Sequence, residues 1–185
     1  TAMGHLVAMD DSEAQFALTT LSRRLWAERA PSLPPEVEDD ACGTLWVAAD
    51  EEEMAIVRRK AAFYGARGER AEVLDAATLR EAEPQLRPGL AGALLVPGDR
   101  VLYPPAAARF LLEAAQRRGA EAWTGLRVDV VEPGRVRCCG GRTLEADVVV
   151  NAAGAEAPRL TPALPIAPRK GHLVITDRYP GFLRH

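Results

Sequence analysis

No apolar run in this chain approaches the roughly 20 residues that a membrane-spanning helix needs. Cysteine is scarce: only Cys42, Cys138 and Cys139 occur. An odd number with two adjacent is not a disulfide framework, and neither Cys-x-x-Cys nor a ligand spacing among His5, His172 and His185 exists to hold zinc. The three thiols are therefore expected to pack as small apolar groups in a reducing compartment. A Gly-x-Gly-x-x-Gly turn is absent, as are internal repeats and low-complexity linkers. The start, Thr1-Ala2-Met3-Gly4-His5, has no initiator Met and no basic region followed by an apolar one. The expectation is an internal piece of a longer protein without a signal peptide. Nor is there an excess of positive charge. The chain has 23 Lys and Arg against 26 Asp and Glu, net -3, with both signs interleaved. That excludes the basic footprint of a nucleic-acid binder.

The 185 residues, 48% hydrophobic and 26% charged, suit one domain or one and a half around an ordinary core. Apolar residues at helical spacing (Phe16, Leu18, Leu21, Leu25, Trp26) predict a helix from Asp11 to Arg29, closed by Pro31. Gly43 to Ala48 reads as a strand. The acidic run Glu51 to Glu53 opens a second helix and suits its positive N-terminus. A short strand at Ala71 to Leu74, an Asp75-capped helix to Ala82 and a strand at Gly92 to Val96 follow. Pro105 to Arg118 is an amphipathic helix stopped by Gly119. Beyond it, strands are expected at Ala120 to Trp123, Arg127 to Glu132, Arg135 to Cys138, Ala146 to Val150 and Leu173 to Thr176. Pro133-Gly134 makes a hairpin turn between the second and third. Trp26, Trp46 and Trp123 are expected in the core.

Asp147-Val148-Val149-Val150-Asn151-Ala152-Ala153-Gly154 has the pattern of a parallel strand buried on both faces. Small residues at its carboxyl end would let a ligand approach the backbone. Yet no phosphate-binding glycine turn precedes it.

With these motifs the chain resembles the D-amino-acid oxidase / glycine oxidase superfamily of FAD-dependent oxidoreductases, in the branch of D-hydroxyproline dehydrogenase and hydrogen cyanide synthase subunits. Asp147 to Gly154 is similar to the family's second flavin motif. Pro168-Arg169-Lys170-Gly171-His172 resembles the entry to a substrate-domain strand. Ala2-Met3-Gly4-His5-Leu6 looks like the small-residue segment passing over the flavin. Pro97-Gly98-Asp99 to Tyr103-Pro104 resembles the entry to the long helix. The resemblance implies an α+β fold: a largely antiparallel substrate-domain sheet with flanking helices, plus part of a Rossmann-like FAD domain lacking its first βαβ unit. It assigns 1–41 to a flavin-proximal segment and helix, 42–104 to the first part of the substrate domain, 105–160 to the FAD domain and 161–185 to the second part of the substrate domain.

The same resemblance implies oxidation of a small D-amino acid, glycine or cyclic secondary amine to an imine by hydride transfer to FAD. Oxygen, a quinone or a partner protein takes the electrons, and a place in a hetero-oligomer is implied. The family works without an obligatory side-chain base. Cofactor contacts are expected at Ala2, Met3, Gly4, Val128, Ala152, Ala153 and Gly154, and substrate contacts at His5 and Tyr103, with Arg109 beside Tyr103. No residue is assigned a catalytic role and none a metal. Arg169 and Lys170 could attract a carboxylate. The implied location is cytoplasmic, or membrane-associated through a partner. The alternatives are an inert folded fragment or subunit that docks onto missing parts, and a flavoprotein of the glycerol-3-phosphate dehydrogenase kind. By itself the 185-residue piece is expected to be inactive and to bind FAD weakly.

Overall fold

The structure, a computed structural model, describes residues 4–172, 177 and 179–185. The chain divides into two compact units, Thr1–Arg118 with Arg178–His185, and Gly119–Asp177.

In the first unit, α1 spans Glu13–Arg29 and begins where the Ser12 side chain accepts the Gln15 N–H. Strand β2 (Thr44–Ala48) leads to α2 (Glu51–Gly65). Asp50 caps α2 by accepting the Glu53 N–H, and Glu53 reaches back to the Ala49 N–H at 2.6 Å. The acidic run is thus a capping device. Strand β3 (Glu72–Asp75) and helix α3 (Ala76–Ala82) follow, the latter capped by Asp75. Strand β4 is Gly92–Val96, β5 is Arg100–Val101 and α4 is Pro104–Gln116. The sheet has the order β2-β4-β3 and is antiparallel throughout, with Trp46 opposite Leu94. The central strand β4 is apolar throughout, and its side chains are buried except for the half-buried Leu95. A separate two-stranded sheet joins β1 (His5–Leu6) to β5, with His5 opposite Val101.

The core packs Phe16, Met54, Val57 and Tyr64 against Ala48, Leu94 and Val96. A second cluster gathers Val37, Ala106 and Ala107, with Trp26 and Phe110 beside it. The expected helices are all present, but one apolar face is not covered. Phe16 turns inward, while Leu18, Leu21, Leu25, Leu111 and Leu112 are exposed. Helical spacing identifies a face and not its neighbour.

In the second unit, β6 (Val128–Glu132), β7 (Arg135–Cys138) and β8 (Thr143–Glu145) form an antiparallel meander. Pro133-Gly134 turns the first hairpin, Glu132 facing Arg135. Helix α5 is Ala157–Leu160.

Four expectations need correction or fall outside the description. Ala120 to Trp123 forms no strand. Trp123 is exposed, its ring lying under the Arg142 guanidinium at 4.2 Å. Asp147 to Val150 is neither a strand nor buried: Val148 is 76% and Val150 80% exposed. β-branched residues favour a pleated, half-buried surface but cannot create it; among the described residues no strand pairs with this run. The strand expected at Leu173 to Thr176 lies outside the described residues.

Candidate functional site

Among the concave regions of the two units, two include residues expected at the site. In the first unit a cavity of about 550 Å³ is walled by segment 5–11, β2 and α2, with His5, Val7, Met9, Trp46 and Lys60 among its lining. Lys60 reaches across to Asp10, Nζ to Oδ2 at 2.6 Å. Arg23 contacts both Asp99, which also lines the cavity, and the half-buried Glu69. Two carboxylates around one guanidinium keep that charge satisfied without water. Tyr64 donates its hydroxyl to the Ala8 carbonyl at 3.1 Å. Burial, followed by the charges of Asp10 and Asp99, pushes its phenol well up, so it stays a donor at any physiological pH.

Glu83, also at this cavity, is 3% exposed. Burial pushes its carboxyl up, but hydrogen bonds outweigh that and hold it below the usual range. Its Oε1 faces His185 Nδ1 at 2.9 Å and accepts the Arg184 and His185 N–H groups at 2.6 and 2.7 Å.

In the second unit a concavity of about 430 Å³ is lined by Val128 and Ala153 together with Arg127 and Arg159. Asn151 shapes it. Its Nδ2 donates to the Ala157 carbonyl at 3.0 Å and to Thr161 Oγ1 at 2.9 Å, and its Oδ1 accepts the Ala153 N–H at 3.2 Å. That Asx turn bends the chain at Ala152-Ala153-Gly154. Gly154 has φ +57, and a Cβ there would meet nothing within 4 Å. Asp129 and Glu156 line it too and pair with the guanidinium groups, Arg127 with Asp129 at 3.8 Å and Arg159 with Glu156 at 2.9 Å, so the concavity carries charge of both signs beside Val128, Ala153 and Leu160.

The expected site residues therefore separate. Val128 and Ala153 meet in one concavity, with Ala152 and Gly154 exposed in the adjoining turn. His5 is exposed at the edge of the other. Gly4 is buried with φ +79, and a Cβ would stand 1.9 Å from the Leu102 carbonyl oxygen. Close packing of the chain on itself thus requires glycine there, whatever binds nearby. Tyr103 begins α4 and is 51% exposed, outside the cavity's lining, and Arg109 is exposed. Arg169, Lys170 and His172 are exposed too. Ala2 and Met3 lie outside the described residues.

The thiols also separate. Cys138 is buried and Cys42 half-buried, but Cys139 is exposed and donates to Asp129 at 3.1 Å. That hydrogen bond raises the Cys139 thiol, and burial raises Cys42, so neither favours the thiolate. Sequence reasoning missed Tyr64, Asp99, Lys60 and Asn151. Of these, Asn151, inside the Ala-Ala-Gly motif and a ready turn former, and Asp99, inside the Pro-Gly-Asp motif, carried a local signal.

The family model described as "DAO: FAD dependent oxidoreductase" matches residues 2–185. The hydrogen cyanide synthase subunit HcnC of Pseudomonas aeruginosa is 32% identical over 203 residues, covering 98% of this chain and 48% of that protein. The L-2-hydroxyglutarate dehydrogenase of Salmonella houtenae is 32% identical over 133 residues, 70% of this chain and 31% of that protein. Among solved structures, glycine oxidase from Geobacillus kaustophilus superimposes with a TM-score of 0.77 at 30% identity, covering 87% of this chain and 46% of that one. The chain thus spans about half the length, or less, of the relatives it matches, and its mixed helices and antiparallel sheets follow the glycine oxidase fold. It belongs to the DAO family of FAD-dependent oxidoreductases.

Proposed function

We propose that the protein oxidises a small D-amino acid, glycine or a cyclic secondary amine, the first unit lining the substrate side and the second unit part of the flavin site. The observation that carries this reading is the likeness across almost the whole chain to HcnC, joined by the superposition on glycine oxidase. The geometry supports it. A cavity of about 550 Å³ is within the range of small-molecule sites. Its lining includes the apolar Val7, Met9 and Trp46, and the Lys60–Asp10 pair offers charge of both signs to an amino acid's two ionic groups. Val128 and Ala153 would lie against the cofactor, with Arg127 and Arg159 toward its phosphates. FAD, when bound, supplies the hydride acceptor, so the side chains bind, orient and keep water out. No side-chain base is assigned. By the same reading, electrons pass to oxygen, a quinone or a partner subunit.

A second reading, oxidation of a small 2-hydroxy acid, is favoured by the likeness to L-2-hydroxyglutarate dehydrogenase. One assay separates them. FAD-loaded full-length protein is offered D-hydroxyproline, D-proline, glycine, sarcosine, L-2-hydroxyglutarate and glycerol phosphate, with a dye and with oxygen as acceptors. Bleaching of the flavin by an amine is the expected result. Bleaching only by a hydroxy acid or glycerol phosphate overturns the amine assignment.

A further inference from the structure

Beyond Leu6 the chain leaves β1, and residues 7–10 run along the cavity without a sheet partner. Backbone groups buried there need other partners. Ala8, 8% exposed, has both of its groups held by side chains distant in sequence. Its N–H donates to Asp99 Oδ1 at 3.1 Å, and its carbonyl accepts the Tyr64 hydroxyl at 3.1 Å. The next N–H, of Met9, donates to Thr19 Oγ1 at 3.1 Å. Each holder is itself held. Arg23 pairs with Asp99, and the Tyr64 ring stacks on Phe16 with centroids 5.5 Å apart.

We propose that Asp99 and Tyr64 are positioning residues. They clamp the Ala8 peptide from both sides and so set where Val7, Met9 and Asp10 stand in the wall that meets the substrate. The proposal rests on the amine-oxidoreductase reading for the identity of that substrate, but the clamp itself does not. Both side chains also line the cavity; the role proposed for them is exerted through Ala8.

The test uses full-length, FAD-loaded protein and the variants Tyr64→Phe, Asp99→Ala and Asp99→Asn. Val37→Ala, a truncation in the second core cluster, reports general loosening. Two quantities are read: amide exchange of the peptide spanning residues 5–10, and KM against kcat for the amine that bleaches the flavin. Leaving a buried backbone group unpaired corresponds to about tenfold faster exchange or more, so Tyr64→Phe and Asp99→Ala should show that together with a rise in KM of about tenfold, FAD content unchanged. Asp99→Asn keeps an acceptor oxygen and should recover part of both losses. Val37→Ala should lower Tm while leaving both quantities within about twofold, the size of effect expected far from the wall. Unchanged exchange in Tyr64→Phe and Asp99→Ala overturns the clamp. Faster exchange with an unmoved KM overturns its role in positioning. If the wild type oxidises no amine, the functional reading fails, and exchange alone then decides the clamp.

Discussion

Gly4 and Glu83 show at the residue scale how a side chain's role depends on what faces it. Gly4 was expected to contact the flavin; independently of that, its missing Cβ makes room for the Leu102 carbonyl. With φ at +79 as well, Gly4→Ala should destabilise the chain by about 2 kcal/mol or more, read by urea denaturation. A smaller loss would mean that the 102–104 backbone yields easily. Glu83 bears on acid stability. Its folded carboxyl lies below the ordinary value of 4.5. The fold therefore favours the ionised form, and that contribution is present above pH 4.5 and lost as pH falls through the folded value. Glu83→Gln should flatten the acid limb of the stability-pH curve below that point and leave the alkaline limb unchanged. An unaltered acid limb would show that His185 and the Arg184 N–H do not hold the carboxylate in solution.

Elements with internal signals lie where the sequence puts them. Strand β4 and helix α3 match their expected spans of Gly92 to Val96 and Ala76 to Ala82, and α2 starts at Glu51 after its Asp50 cap. Turn chemistry at Pro133-Gly134 likewise sufficed to pair β6 with β7. The Val148–Val150 run differs because a strand's existence depends on its partners. With Val148 and Val150 already exposed, Val148→Asp and Val150→Asp should alter the stability of the 185-residue chain by less than about 0.5 kcal/mol each. The same changes in full-length protein should cost several times more if a sheet there encloses the run. Equal, small effects in both proteins, by thermal melts, would refute a buried strand.

For the whole molecule, the question is what half the length of a family member can do. On the reading proposed above, Val128 and Ala153 of the second unit would face the flavin, but these 185 residues contain no Gly-x-Gly-x-x-Gly turn. Such a turn and the helix N-terminus after it supply most donors to a pyrophosphate. Titrating FAD into the purified chain should therefore show weak binding or none, and tight stoichiometric binding would refute this. In full-length protein, Gly154→Val should release flavin and also lower the melting temperature, because φ is +57 there and strains a β-branched residue even though its Cβ would meet nothing within 4 Å. Retention of FAD equal to wild type would show that this turn does not face the cofactor.

The sequence by itself determined the helices, most strands and the family. Those depend on spacing, caps and turn residues within a few positions of each other, and on motifs in a preserved order. It determined less of the site. Val128 and Ala153, 25 positions apart, do line one concavity, but Tyr103 proved to be an exposed helix start. Tertiary structure alone decided that Asp99 and Tyr64 hold the Ala8 peptide from 91 and 56 positions away. It alone decided that Arg23 lies buried between two carboxylates. A hydrogen bond or ion pair between distant residues leaves no local periodicity. It exists only once folding has removed water from both partners and made each the other's replacement for it.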